Sequence, residues 1–149
     1  MKSAPQASQQ ATIDVLNSFL RGELAAVETY RQAIAKTADE PIPELLENEA
    51  CHQRRVSALQ NQVIDLGGIP AETSGAWGAF TRLVEGGATL LGRGPALAAL
   101  EEGEDRGLAQ YRKDISKLSG ATRQFIETEI ISAQQRTHDR MSRIKHLEN

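Results

Sequence analysis

Glu49-Ala50-Cys51-His52 lies inside a stretch, Pro43 to Leu66, whose apolar residues Leu45, Val56, Leu59, Val63 and Leu66 recur with helical spacing. Steps alternating between four and three leave two slots in that stripe, and Glu49 and His52 fill them. A carboxylate and an imidazole one turn apart, both directed at a core, form the pattern with which helix bundles hold metal. Such a half-site needs matching donors on neighbouring helices.

The preceding segment supplies one. Ile13, Leu16, Leu20, Glu23, Val27, Tyr30 and Ile34 are spaced 3, 4, 3, 4, 3, 4, a single helical seam with a carboxylate near its centre. Asp39-Glu40-Pro41-Ile42-Pro43 ends this first helix and starts the second, with Pro43 at the first helical position. So short a connection implies antiparallel neighbours. Gly67-Gly68, with Pro70 beyond, predicts a left-handed cap that stops the second helix.

Residues 69 to 95 break the rhythm with frequent glycine. Phe80, Leu83, Val84, Gly87, Leu90 and Leu91 nevertheless keep helical spacing, which predicts a short amphipathic helix over 78–91 inside a long crossover. It is too short and too polar to span a bilayer. The third long helix starts near Pro95 with the seam Leu97, Glu101, Glu104, Leu108, Tyr111, Ile115 and Leu118. After Ser119-Gly120 the fourth carries Ile126, Ile130, Ala133, Thr137, Met141 and Ile144. The expected fold is all-α: an antiparallel four-helix bundle over 12–149, with a long crossover between helices 2 and 3. Residues 1–11 are expected to form a disordered polar arm.

Composition agrees. In 149 residues, one domain's worth, only 4% are aromatic and no alternating β-branched runs occur, against an all-β core. A net charge of −3 gives no electrostatic footprint for nucleic acid. The late cluster Arg136, Arg140, Arg143 and Lys145 suits the end of a helix, where cations complement the macrodipole. One cysteine, Cys51, excludes an internal disulfide and a four-cysteine iron site, and is expected off the seam as a small packing residue. The sequence has no apolar leader and no long apolar run, so the expectation is a cytoplasmic protein with no membrane partner.

Glu23, Glu49, Glu101, Glu104 and His52 thus fall in the seams of three helices. An uncompensated buried carboxylate costs several kcal/mol, so four would consume most of a domain's ~5–15 kcal/mol of stability. They must be protonated, paired with buried Arg or Lys, or neutralised by metal. These seams contain no Arg or Lys, which favours two divalent cations; carboxylates with an imidazole suit iron or manganese.

Leu16-Asn17-Ser18-Phe19-Leu20-Arg21-Gly22-Glu23-Leu24-Ala25-Ala26, with Tyr30 beyond, resembles the first helix of bacterioferritin. Glu49-x-x-His52 followed by Leu66-Gly67-Gly68-Ile69-Pro70 is similar to its second, and Ala99-Leu100-Glu101-Glu102-Gly103-Glu104 resembles the acidic third helix of bacterioferritins and rubrerythrins. From about Leu16 to His138 the chain looks closer still to a bacterial ferritin-like branch of unknown function. The resemblance implies metal ligands at Glu23, Glu49, His52 and one or both of Glu101 and Glu104, with Tyr30 as a neighbouring phenol; His138 is the candidate ligand on the fourth helix. It implies a non-haem di-iron or di-manganese oxidoreductase acting on peroxide or O₂, supplied by a separate electron donor, and a homo-oligomer.

Two departures favour the alternative, a bundle with a degenerate site that acts as a stress-associated binding or oligomerising protein and needs no metal. Gln135 stands where the second Glu-x-x-His needs its carboxylate, and His138 lies roughly 100° from its stripe. In a symmetric hairpin, Glu23 and Glu49 would differ in depth by on the order of 10 Å, and Glu28 is the available substitute.

Overall fold

The computed structural model describes residues 7–75 and 92–148. Within them every regular element is helical. Helix α1 is Ala7–Lys36, α2 is Pro43–Asp65 and α3 is Arg93–Asp114, followed by a 3₁₀ turn, Ile115–Lys117. The last helix, α4, runs through Gly120–Phe125, a π-helical turn Ile126–Ile131, and Ser132–Glu148. Helix α1 begins at Ala7, ahead of the seam that starts at Ile13. The amphipathic stretch 78–91 lies outside the described residues.

Local chemistry explains the boundaries. Pro43 opens α2, where its missing N–H costs nothing. At the other end Gly67 takes φ 84°. Its N–H then bonds the Ile64 carbonyl at 2.9 Å, and the Gly68 N–H bonds that of Val63 at 2.9 Å, the Schellman pair that satisfies the last carbonyls of α2. Gly68 is also a close approach, since a Cβ there would lie 2.8 Å from Ile13 Cγ2. The π turn holds four β-branched residues, Ile126, Thr128, Ile130 and Ile131, which crowd a regular α turn.

Helix α1 packs on α2 and α3, and α4 packs on the same two. Residue pairing fixes the sense of each contact. Asn48 meets Tyr30 while His52, further along α2, meets Glu23, earlier in α1. Tyr30 pairs with Glu104 and Glu23 with Tyr111, so α1 and α3 also run in opposite senses.

Two apolar clusters fill the interior. One gathers Ile13, Leu16, Phe19, Leu20, Leu59, Val63, Leu118, Ile126 and Ile130, and the other Tyr30, Ala33, Leu45, Leu97, Leu100, Met141 and Ile144. The seams of α1 and α4 are as expected, with only Ile34 half-buried. That of α2 is rotated: Asn48, Cys51 and Arg55 are buried beside His52 and Val56, whereas Glu49 is not. Because α2 touches both α1 and α4, its buried face is wider than a two-helix seam and admits residues that a strict 4–3 count skips.

Candidate functional site

Buried polar residues from all four helices meet in one layer: Glu23 of α1, Asn48, His52 and Arg55 of α2, Glu104 of α3, and Gln134 and Thr137 of α4. His52 is the hub. Its Nδ1 lies 2.7 Å from Glu23 Oε2 and its Nε2 lies 2.8 Å from Glu104 Oε2. Arg55 Nη2 also lies 2.9 Å from Nδ1, so the donor and acceptor roles follow from the tautomer; the two flanking carboxylates favour the doubly protonated ring, which donates to both.

Arg55 closes the cluster. Its Nη1 is 3.4 Å from Glu23 Oε1 and donates to Gln134 Oε1, and its Nη2 donates to Thr137 Oγ1 at 3.0 Å. Around Glu104, Thr137 Oγ1 and Gln134 Nε2 donate to Oε1 at 2.7 and 2.9 Å, and Tyr30 donates to Oε2 at 2.6 Å. Tyr111 donates to Glu23 Oε1 at 2.8 Å. Asn48 Nδ2 supports the Tyr30 hydroxyl at 3.0 Å, and its own Oδ1 accepts from Arg140 at 2.7 Å. Two negative and two positive charges thus balance inside the protein, with donors aimed at every carboxylate oxygen.

Burial pushes the Glu23 pKa up, but the charges of Arg55 and His52, with bonds from His52 and Tyr111, outweigh it and hold the carboxyl below its ordinary value. Glu104 behaves alike: burial opposes its charge, and His52, Arg55 and the Tyr30 hydroxyl more than restore it. For His52, burial and Arg55 disfavour the charged ring, yet Glu23 and Glu104 prevail and raise its pKa. Tyr30 and Tyr111 are pushed well above 10.0 by burial and then by the carboxylates they bond, so both remain phenols.

Three of the six expected ligands, Glu23, His52 and Glu104, are brought together. The others are not. Glu49 turns outward to an ion pair with Arg31 at 3.2 Å. Glu101 is half-buried and outside the cluster. His138 sits between Asp105 at 2.6 Å and Asp139 at 3.2 Å on the flank of α4. Glu28 is exposed, with Ser74 3.5 Å away, and does not stand in for Glu23. The expected depth mismatch shrinks by about 4.5 Å, at 1.5 Å per residue, because Glu23 meets His52, three residues further along α2 than Glu49.

A di-metal centre does not fit this donor set. Each imidazole nitrogen is in direct contact with a carboxylate oxygen, at 2.7 and 2.8 Å, which leaves no space for an ion between them in this arrangement. Two dications would also add a charge of +4 where Arg55 already offsets one of only two carboxylates. Among the described residues, no group of three or more His, Cys, Asp or Glu is arranged to hold a metal ion.

Arg55, Asn48 and Gln134 are partners to which the sequence pattern gives no role, whereas Tyr111 and Thr137 fall in the seams but with no polar partner legible there. Arg55 carried a readable signal: it is three residues beyond His52, within reach on one helix face. Beside the cluster, between α1 and α3, is a cavity of about 40 Å³, room for water. Half-buried Gly22, Ala26, Gly103 and Gly107 line it together with Glu23, His52 and Glu104.

Residues 11–117 match the family model of the domain of unknown function DUF2383. The chain belongs to this family. The DUF2383 match takes in α1, α2 and α3, and thereby Glu23, His52, Arg55 and Glu104; α4, with Gln134 and Thr137, lies beyond it. No curated protein and no solved structure matches the chain significantly. Among the described residues no helix is long and apolar enough to cross a membrane.

Proposed function

We propose that this DUF2383 chain is an antiparallel four-helix bundle of the ferritin-like type whose central layer holds a proton-bridged ion cluster in place of a di-metal centre. It acts as a binding or oligomerising protein with no redox catalysis of its own. One observation carries this reading: the Arg55 guanidinium occupies the layer beside Glu23 and His52 and supplies the positive charge that metal would otherwise bring. The opposed helix pairings and the three resemblances along α1, α2 and α3 support the ferritin-like assignment.

The convergence of Glu23, His52 and Glu104 favours a second reading, an iron or manganese protein in which Arg55 leaves the layer when metal enters. Metal analysis of the protein expressed with iron and manganese supplied separates the two. The first reading expects far less than one ion per chain and an unfolding midpoint unmoved by chelator. Two ions per chain, lost together with Glu23→Gln, would establish the second.

A further inference from the structure

At the end of the bundle where α1 turns into α2, the starts of α2 and α3 and the C-terminal part of α4 enclose a cleft of about 460 Å³. Small-molecule sites span roughly 300–1,000 Å³. Three arginines line the cleft: Arg93, the first residue of α3, with Arg140 and Arg143 on α4. Glu44 is the one acid among the lining residues. Buried Ile42 and Ile144 give it an apolar floor, with exposed Pro41 and Pro43 beside them.

Helix electrostatics accounts for two of these arginines but not for the third. Arg140 and Arg143 lie toward the C-terminal end of α4, where the macrodipole favours cations. Arg93 opens α3, where the dipole is positive and a cation is unfavourable, and the first turn of α3 holds no acid. Neither α2 nor α3 has a side-chain hydrogen bond capping its start, so both positive helix ends face the cleft without a carboxylate or hydroxyl bonded to them.

The protein positions these guanidinium groups and leaves donors on them. Arg93 Nη1 donates to the Glu40 carbonyl at 2.5 Å and lies 3.9 Å from Glu40 Oε2. Arg140 uses Nε toward Glu47 at 3.4 Å and Nη1 on Asn48 at 2.7 Å, while its Nη2 has no partner among the described residues. Both acids are mostly exposed, where ion pairs hold weakly and a ligand can compete. Arg143 is exposed and makes no hydrogen bond among the described residues.

In the lining, three arginines against one glutamate leave a charge of +2. A phosphomonoester carries about −1.5 to −2 at pH 7, and its oxygens match the guanidinium fork. A carboxylate would balance only half of that charge. We propose that this cleft binds a small organic phosphate, with its phosphoryl group among Arg93, Arg140 and Arg143 and its apolar body against Ile42 and Ile144. The site is separate from the His52 layer and does not depend on how that layer is neutralised.

Calorimetric titration of the intact chain at fixed ionic strength tests it, with phenyl phosphate, inorganic phosphate and benzoate as probes. Phenyl phosphate is expected to bind once per chain and at least ~10-fold tighter than either of the others, because only it meets both the arginines and the apolar floor. Arg93→Gln and Arg143→Gln should each weaken it by about 10-fold or more. Arg143→Gln, at an exposed position, should also keep the unfolding midpoint of the unliganded protein. No saturable binding of phenyl phosphate at ~10 mM would overturn the assignment. So would an affinity that both variants leave unchanged, or inorganic phosphate or benzoate binding as tightly as phenyl phosphate.

Discussion

The apolar cluster around Leu16, Leu59 and Ile130 and the polar layer around His52 are built from the same helices at the same spacing, yet they are held differently. In the apolar cluster each side chain needs only volume and shape from its neighbours, so any one contact is replaceable by similar ones. In the polar layer each group needs a particular partner at a particular distance, because its alternative is an unpaired charge away from water. The layer therefore adds little to stability as a whole but makes individual members hard to remove. It also ties all four helices into one register, since a slip of any helix separates a carboxylate from its donors.

Substitutions break this comparison open. Arg55→Met should cost the most, about 3–5 kcal/mol in urea unfolding, because Glu23 loses its guanidinium while remaining buried. A loss below about 1 kcal/mol would show that the layer does not depend on it. Leu59→Ala, in the apolar cluster, should cost about 2–5 kcal/mol by leaving a cavity. Its cost should be the same at pH 5.5 and pH 8.5, because no group in its apolar cluster titrates in that range.

The two regions part most clearly with pH. The His52 pKa is raised in the folded protein, so its contribution is complete below the unfolded value near 6.5 and disappears as pH rises through the higher folded value. Glu23 and Glu104 are lowered from 4.5, so theirs is present above 4.5 and disappears as pH falls through the lower folded values. Unfolding free energy should accordingly peak between pH 4.5 and 6.5, and His52→Gln should flatten the alkaline decline. A decline that persists in that variant would assign it to another group.

Smaller effects sharpen the boundary of the layer. Tyr111→Phe removes a buried hydrogen bond to a charged acceptor and should cost about 1.5–3 kcal/mol in the same assay. Glu49→Ala, at an ion pair between half-buried Glu49 and exposed Arg31, should cost about 1 kcal/mol or less. A Glu49→Ala variant as damaging as Tyr111→Phe would mean that Glu49 has a partner in the interior.

The helices were legible because their signals are local. Period, proline and glycine placed α1, α2 and the cap at Gly67, and the seams of α1 and α4 read correctly from spacing alone. The site was half legible. Glu23 and Glu104 interrupt otherwise apolar stripes, and a charge there must find an answer. What answers it is not local. Spacing hides Arg55, because a narrow seam along α2 gives the slot to Val56. Glu49 was placed inward for the same reason, one residue from Asn48, which the structure buries.

By itself, the sequence determined that four amphipathic helices would form and that carboxylates would enter their shared interior, because both follow from the order of apolar and polar residues. Only the tertiary structure decided how those carboxylates are neutralised. Helix α2 lies against two neighbours at once, and its rotation between them brings Arg55 and His52 inward, faces Glu49 to Arg31, and lets Gln134 and Thr137 arrive from α4. Rotation of a helix between two partners is set by packing of the whole core.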